Sequence, residues 1–227
     1  NDFSNLKALF SLGAGVDHLL ATKNLPDVPI ARIVDPDLTS RMSEWVVGQV
    51  LLHHRKTLQY QAFQKQAQWR ELEQPAAREV HVGIMGLGEL GKDSAEVLCR
   101  LGFKVRGWTR TPKHMRDVTC FHGAEGMDEF LATTDVLVCL LPLTPETHGL
   151  VDGALLNKLR PNGALGGPVF INAGRGKVQV ERDVLNALQD GTLKGASLDV
   201  FEEEPLPQNS PLWELPNLVI TPHASAV

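Results

Sequence analysis

Cysteine is scarce in this chain: three residues, Cys99, Cys120 and Cys139, among 227. They are odd in number, widely spaced and set in apolar segments. That excludes a disulfide framework and gives no metal-ligand spacing, so the thiols are expected to be buried and reduced, in a cytoplasmic protein without a metal. No apolar run reaches membrane-spanning length, and no basic-then-apolar leader is present. Positive charge is not in excess either. The formal net charge of −5 argues against nucleic acid or an anionic membrane as the main partner, while leaving room for a local basic pocket. What remains is 43% hydrophobic and 22% charged, as in ordinary soluble globular proteins. A chain of this length buries roughly 70% of its unfolded surface.

Against this background the stretch 80–110 organises the rest. Val80, Val82, Ile84 and Met85 read as a buried strand. Gly86, Gly88 and Gly91 form a G-x-G-x-x-G turn, and 90–101 continues as a helix with Leu90, Val97, Leu98 and Leu101 on its apolar side. A second strand, 103–108, follows Gly102. The complete βαβ context turns a weak pattern into a strong dinucleotide signal. Gly86 permits the tight turn, Gly88 lets the backbone approach a pyrophosphate, and Gly91 lets the helix pack on the sheet. The anion then meets unpaired N–H groups at the positive end of the helix.

Before this unit, 6–12 reads as a short strand running into Gly13-Ala14-Gly15-Val16-Asp17, a close-approach loop in which Asp17 is placed to cap a short helix through Leu20. Residues 26–38 carry three prolines, with a short strand at 30–34 and an extended Asp35-Pro36 pair. Ser40 or Ser43 is a candidate cap for the longest helix, running to about Trp69, with Trp45, Leu51, Leu52, Leu58 and Phe63 on its apolar sides. Apolar residues on more than one side of that helix point to a symmetric homodimer.

After Arg110 come a strand near 118–122, a helix over 127–132 and the continuous apolar strand 136–141, which enters Pro142-Leu143-Thr144-Pro145. In that loop Thr144 or Thr147 either reaches a phosphate or ribose or belongs to a proline-stiffened turn. A short helix at 152–159 precedes the strand 169–172 and the loop Ala173-Gly174-Arg175-Gly176. A helix over 181–189, a strand at 196–200 and a last strand at 218–221 complete the pattern. Such alternation specifies a mostly parallel α/β sheet covered on both faces, with functional residues beyond the strands' carboxyl ends. Arg175, Glu204 and His223 follow three successive strands. A cationic donor, a titratable acid or base and a carboxylate to orient it are the set that reduces an α-keto acid.

The segments FSLGAGVDHLL (10–20), MGLGELG (85–91), LLPLTPETHGLV (140–151), INAGRGKVQVERDVLNALQDGTLKGASLDVFEEEPLP (171–207) and SPLWELPNLVITPHASAV (210–227) resemble the D-isomer-specific 2-hydroxyacid dehydrogenases, most closely their glyoxylate/hydroxypyruvate reductase A branch. The resemblance implies a Rossmann-type doubly wound sheet at 80–227, a connecting helix and linker at 37–79, and a remnant of a smaller flavodoxin-like substrate domain at 1–36. It implies that Arg175 grips the substrate carboxylate, that His223 exchanges the proton with Glu204 as its partner, and that Asp199 lies near the nicotinamide. Ala14, Gly15 and Trp45 would face the substrate with Arg175 and His223. The cofactor would be held by Gly86, Leu87, Gly88, Glu89, Leu90, Gly91, Trp108, Thr109, Arg110, Thr111, Leu141, Pro142, Thr147, Ala173, Gly174, Arg175, Asp199 and His223. Substrate choice stays open between glyoxylate or hydroxypyruvate and the phosphoglycerate or D-lactate types. A regulatory NAD(P)-binding protein of the same fold is the rival from another class, disfavoured by the retained Arg175, Glu204 and His223.

Where an NAD site places an acid after the second strand, this chain has Trp108-Thr109-Arg110-Thr111-Pro112-Lys113. Thr109 takes the acid's place, and Arg110 and Lys113 can neutralise a 2′-phosphate, so NADP(H) is the expected cofactor, with NAD(H) possible. The chain departs from the family in 162–169, where Gly166-Gly167-Pro168 or near neighbours are extra. A harmless loop before Val169 is expected, because proline lacks the donor that a central strand requires. Both ends read as cut from a longer protein, lacking the rest of the substrate domain and a closing helix.

Overall fold

The computed structural model describes residues 5–227 apart from 14, 21 and 23, with the side chains of 18 and 20 also left aside. The first segment pairs β1 (Leu9–Ser11) with β2 (Ile30–Arg32) in a small parallel sheet, with the short helix α1 (Asp17–Leu20) between them. The chain then enters α2 (Pro36–His54) and α3 (Thr57–Lys65).

The long helix differs from the sequence expectation at both ends. It starts at Pro36, not at Ser40 or Ser43. Asp35 is extended, as a residue before proline must be, and its Oδ1 accepts from the Asp37 N–H at 3.0 Å. Ser43 is instead buried inside the helix, and its hydroxyl meets Asp93 Oδ2 at 2.5 Å and Ser94 Oγ at 3.1 Å. The helix then breaks at Lys56, whose φ of 55° is left-handed, and α3 turns away before 66–76 leads on without helix.

The large sheet holds β3 (His81–Met85), β4 (Lys104–Thr109), β5 (Val118–His122), β6 (Val136–Cys139), β7 (Val169–Asn172), β8 (Gly195–Leu198) and β9 (Leu218–Ile220). Their order is β5-β4-β3-β6-β7-β8-β9, with every pairing parallel. The helices α4 (Glu89–Arg100), α5 (Met127–Ala132), α6 (Gly153–Leu156) and α7 (Glu181–Asp190) supply the crossovers. The order reverses between β3 and β6, and such a switch point opens a crevice outside the carboxyl ends of the strands.

Strand residues alternate between two cores, as a period of two requires. Met85, Leu137, Cys139, Phe170 and Leu198 face the α5–α7 side. Ile84, Val136, Val138 and Ile171 face α2 and α4, packing with Val46, Val50 and Leu98. Burial on both faces explains the unbroken apolar runs of β6 and β7. Of the thiols only Cys139 is buried, and burial pushes it up to about 12. Cys99 and Cys120 are half-buried, correcting the expectation: both pack at the margin of the second core, Cys99 near the end of α4 and Cys120 on the edge strand β5.

The extra residues form turns at 161–167, with Gly166 and Gly167 at φ of 75° and 142°. The strand begins only at Val169, opposite Val136. The insertion thus lies at the amino end of β7, and Arg175 lies beyond the other end. Among the described residues no helix is long and apolar enough to cross a membrane, and no group of three or more side chains is arranged to hold a metal.

Candidate active site

The loops beyond the carboxyl ends of β3, β6, β7 and β9 enclose a cleft of about 540 Å³, closed on its far side by Gly13, Gly15, Asp17, Arg32 and the start of α2. On its floor Gly86 has φ of 99°, and a Cβ on Gly91 would stand 1.9 Å from the Gly86 carbonyl oxygen. Only glycine at both positions lets the chain turn off β3 and lay α4 against the sheet. Gly88 is the N-cap of α4, no side chain caps the helix, and nothing lies within 4 Å of where a Cβ at Gly88 would be. Open helix-start N–H groups beside unfilled space fit a dinucleotide pyrophosphate.

Arg175 leaves β7 in extended conformation and lines the cleft. Its loop is fixed from beneath by buried Asn172, which accepts from the Gly174 N–H at 3.0 Å and donates to Gln179 Oε1 at 2.9 Å. Gly176 brings this loop against the next one, since a Cβ there would be 1.8 Å from the Phe201 carbonyl oxygen. That next loop carries Glu204. One oxygen of Glu204 accepts from the Phe201 N–H at 2.9 Å, and the other lies 2.7 Å from His223 Nδ1. With Nδ1 bound to the carboxylate, Nε2 is the ring nitrogen left for chemistry in the cleft. His223 itself sits at φ of 54°, the left-handed region that few side chains adopt. Its N–H donates to the Asp199 carbonyl at 2.8 Å.

Asp199, expected near the nicotinamide, lies just past β8. It is fully buried beneath the cleft, and its carboxylate accepts from the Thr221 hydroxyl, the Ala224 N–H at 2.8 Å and the Ser225 N–H at 3.0 Å. It therefore shapes the turn that presents His223. Gly15, Gly86, Gly88, Glu89, Leu90, Gly91, Leu141, Pro142, Ala173, Gly174, Arg175 and His223 line the cleft, but the Leu87 side chain packs in the core under Gly107. Trp45 packs in the α2–α4 core with its indole N–H buried and unpartnered, one turn beyond Met42 and two beyond Leu38, which do face the cleft. The Thr147 hydroxyl donates to the Pro142 carbonyl at 2.6 Å and accepts from the Thr144 N–H at 2.8 Å, so it stiffens its own turn. Trp108 donates to the Gly123 carbonyl at 2.9 Å, and Thr109 to that of Thr111 at 2.7 Å. Arg110 and Thr111 are exposed just past β4, and Arg110 lies near enough to Glu146, beyond β6, to help hold that carboxyl below its usual range after its bond to Thr144. Lys113 donates to the Leu87 carbonyl in the glycine turn. Ala14 lies outside the described residues.

The sequence reading missed Asp17, Arg32, Leu38, Met42 and Ser225 as cleft residues. Only the i, i+4 spacing of Leu38 and Met42 carried a signal, and it reads equally as core.

An α/β enzyme with a dinucleotide turn at its switch point and a carboxylate-held histidine facing a guanidinium is an acid–base oxidoreductase in its construction. Comparison with known proteins is consistent with that class. Residues 47–225 match the model of the D-isomer specific 2-hydroxyacid dehydrogenase NAD-binding domain. The chain is 43% identical to glyoxylate/hydroxypyruvate reductase A of Escherichia fergusonii, over 98% of this chain and 72% of the relative. A probable 2-hydroxyacid dehydrogenase from Rhizobium etli, solved with NADP, HEPES and L(+)-tartaric acid, superposes with a TM-score of 0.95 at 57% identity, covering 98% of this chain and 70% of that one. An NADPH-dependent glyoxylate/hydroxypyruvate reductase from Sinorhizobium meliloti, solved with NADP and sulfate, gives 0.95 at 55% identity over the same shares. The chain belongs to the D-isomer specific 2-hydroxyacid dehydrogenase family, among homologues of glyoxylate/hydroxypyruvate reductase A. It is an NAD(P)-dependent enzyme that reduces a 2-keto acid.

Proposed function

We propose that this enzyme reduces glyoxylate or hydroxypyruvate to the 2-hydroxy acid and prefers NADPH. The observation that carries the reading is the shared cleft: Arg175 and the Glu204-held His223 line it together with the glycine turn. The turn and the start of α4 would hold the pyrophosphate, and Arg110 at the end of β4 the 2′-phosphate. The bound cofactor supplies hydride to the carbonyl carbon.

The chain's own residues do the rest. Arg175 takes the substrate carboxylate through charge-assisted hydrogen bonds and so fixes which carbonyl face is presented. Negative charge grows on the carbonyl oxygen during reduction, and His223 delivers its proton there from Nε2. Glu204 fixes the ring through Nδ1, and Asp199 fixes the turn beneath it. The relatives named above as glyoxylate/hydroxypyruvate reductases, and the lack of an acid after β4, support both finer assignments.

The division into a substrate-domain segment (1–36), a connecting segment (37–79) and a nucleotide domain (80–227), a cytoplasmic setting and a homodimer are parts of the same proposal. The test is NADPH oxidation by the purified protein with glyoxylate, hydroxypyruvate, pyruvate and 3-phosphohydroxypyruvate, repeated with NADH. The first two substrates and NADPH should give the highest kcat/KM. His223→Asn should lower kcat by ~10²–10⁴-fold with NADPH affinity nearly intact. Equal turnover by that variant, or equal efficiency with NADH, defeats the corresponding part.

A further inference from the structure

Arg175 is restrained on more sides than a plain surface cation. Its Nε donates to Asp17 Oδ1 at 2.9 Å, and its Nη1 donates to the Gly174 carbonyl at 2.8 Å. Its Nη2 lies so close to Gly15 that a Cβ there would stand 1.6 Å away. Asp17 and Arg175 lie 158 residues apart, at the start of α1 and on the loop after β7, and each side chain is 27% exposed. Among the described residues Asp17 is the one acidic side chain paired with this guanidinium.

A guanidinium can receive a carboxylate along its Nε–Nη2 edge or along its Nη1–Nη2 edge. Asp17 occupies Nε, which leaves for an incoming carboxylate the Nη hydrogens that the Gly174 carbonyl does not take. Asp17 also stops the long side chain from rolling about its axis, and an ordered arginine loses less freedom when substrate arrives.

We propose that Asp17 is a positioning residue that acts through Arg175, setting the guanidinium so that its Nη edge receives the substrate carboxylate. The proposal rests on the reading of Arg175 as the carboxylate grip. It gives the glycine loop two linked tasks: Gly15 clears space for Nη2, and Asp17 holds Nε. Both belong to the segment before α2, so this segment completes a site whose cation comes from the large sheet.

The experiment measures KM and kcat for glyoxylate, and the NADPH dissociation constant, for wild type, Asp17→Ala and Asp17→Asn. Asp17→Ala should raise KM about 10-fold and lower kcat about 10-fold, while NADPH affinity stays unchanged. Asp17→Asn keeps an acceptor oxygen and should recover activity to within about 3-fold of wild type. In an Arg175→Met background, Asp17→Ala should add less than about 2-fold, since its partner is gone. If Asp17→Ala does not fold, Asp17→Ser takes its place with the same expectations.

An unchanged or lowered KM in Asp17→Ala would show that Asp17 competes with substrate and overturn the proposal. So would equal losses in the Ala and Asn variants, an undiminished effect without Arg175, or a parallel loss of NADPH affinity. Wild type that binds NADPH and reduces no 2-keto acid would instead defeat the underlying reading of the cleft, and this proposal with it.

Discussion

The replacement Asp199→Asn tests whether a buried carboxylate sets the position of His223. Asp199 is fully buried; one of its oxygens accepts from the Thr221 hydroxyl and the Ala224 N–H, the other from the Ser225 N–H. An asparagine of the same shape has one acceptor oxygen and one donor nitrogen. If its oxygen faces Thr221 and Ala224, the NH2 confronts the Ser225 N–H. If it is turned over, the NH2 confronts the Ala224 N–H. Thr221 can rotate to accept, but the backbone N–H cannot. Either way one backbone donor loses its partner, the buried one of Ser225 or the part-buried one of Ala224, and leaving the buried one unpaired costs about 1–3 kcal/mol. For a domain of this size each kcal/mol moves the melting temperature by about 2–4 °C, so a fall of roughly 2–12 °C is expected. The loosened turn carries a histidine at φ of 54°, and misplacing it by about 1 Å should lower kcat about 10²-fold. The assays are thermal denaturation and steady-state NADPH oxidation. NADPH binding should change little, because the glycine turn is elsewhere on the sheet. A variant with wild-type melting temperature and kcat would refute the reasoning.

Three further outcomes are expected. Gly91→Ala places a Cβ 1.9 Å from the Gly86 carbonyl oxygen, forcing α4 off the sheet; NADPH affinity, followed by fluorescence titration, should fall at least about 10-fold, and retained affinity would contradict the close-packing argument. Burial lowers His53 to about 4, where its Nε2 lies 2.9 Å from Ser197 Oγ and that hydroxyl donates to Gln49 Oε1. The folded state therefore favours the neutral ring: this stability is fully present above the unfolded value of 6.5 and is lost as pH falls toward 4, an effect of up to ~3 kcal/mol. Urea midpoints measured at both ends of that window should converge in His53→Gln, with a residue left by His54 and His81, which burial lowers in the same direction; an unaltered pH slope would exclude His53 as the source. Trp69 is fully exposed beyond α3, so if this arm closes the proposed homodimer, Trp69→Glu should shift the solution mass from dimer to monomer by light scattering, and an unshifted mass would place the interface elsewhere.

Much of the sheet was legible because its causes are local. The apolar runs at Ile84, Val136–Cys139 and Val169–Asn172 record burial on two faces. The Gly86–Gly91 turn records one steric requirement within a few residues, and Arg175, Glu204 and His223 follow strand ends that are visible in the sequence. Helix ends were less legible. Asp35-Pro36 supplies a better start than Ser40 or Ser43, while no glycine or proline marks the break at Lys56.

The sequence by itself determined the βαβ alternation, the dinucleotide turn and the three polar residues of the site, since period, glycine spacing and position after a strand are properties of neighbouring residues. Tertiary structure alone decided that Trp45 packs in the core while Leu38 and Met42 face the cleft, that Asp199 builds the turn of His223 from below, and that Asp17 meets Arg175. Those outcomes depend on which distant side chains share a small volume once the strands have taken their order, and no local pattern encodes that meeting.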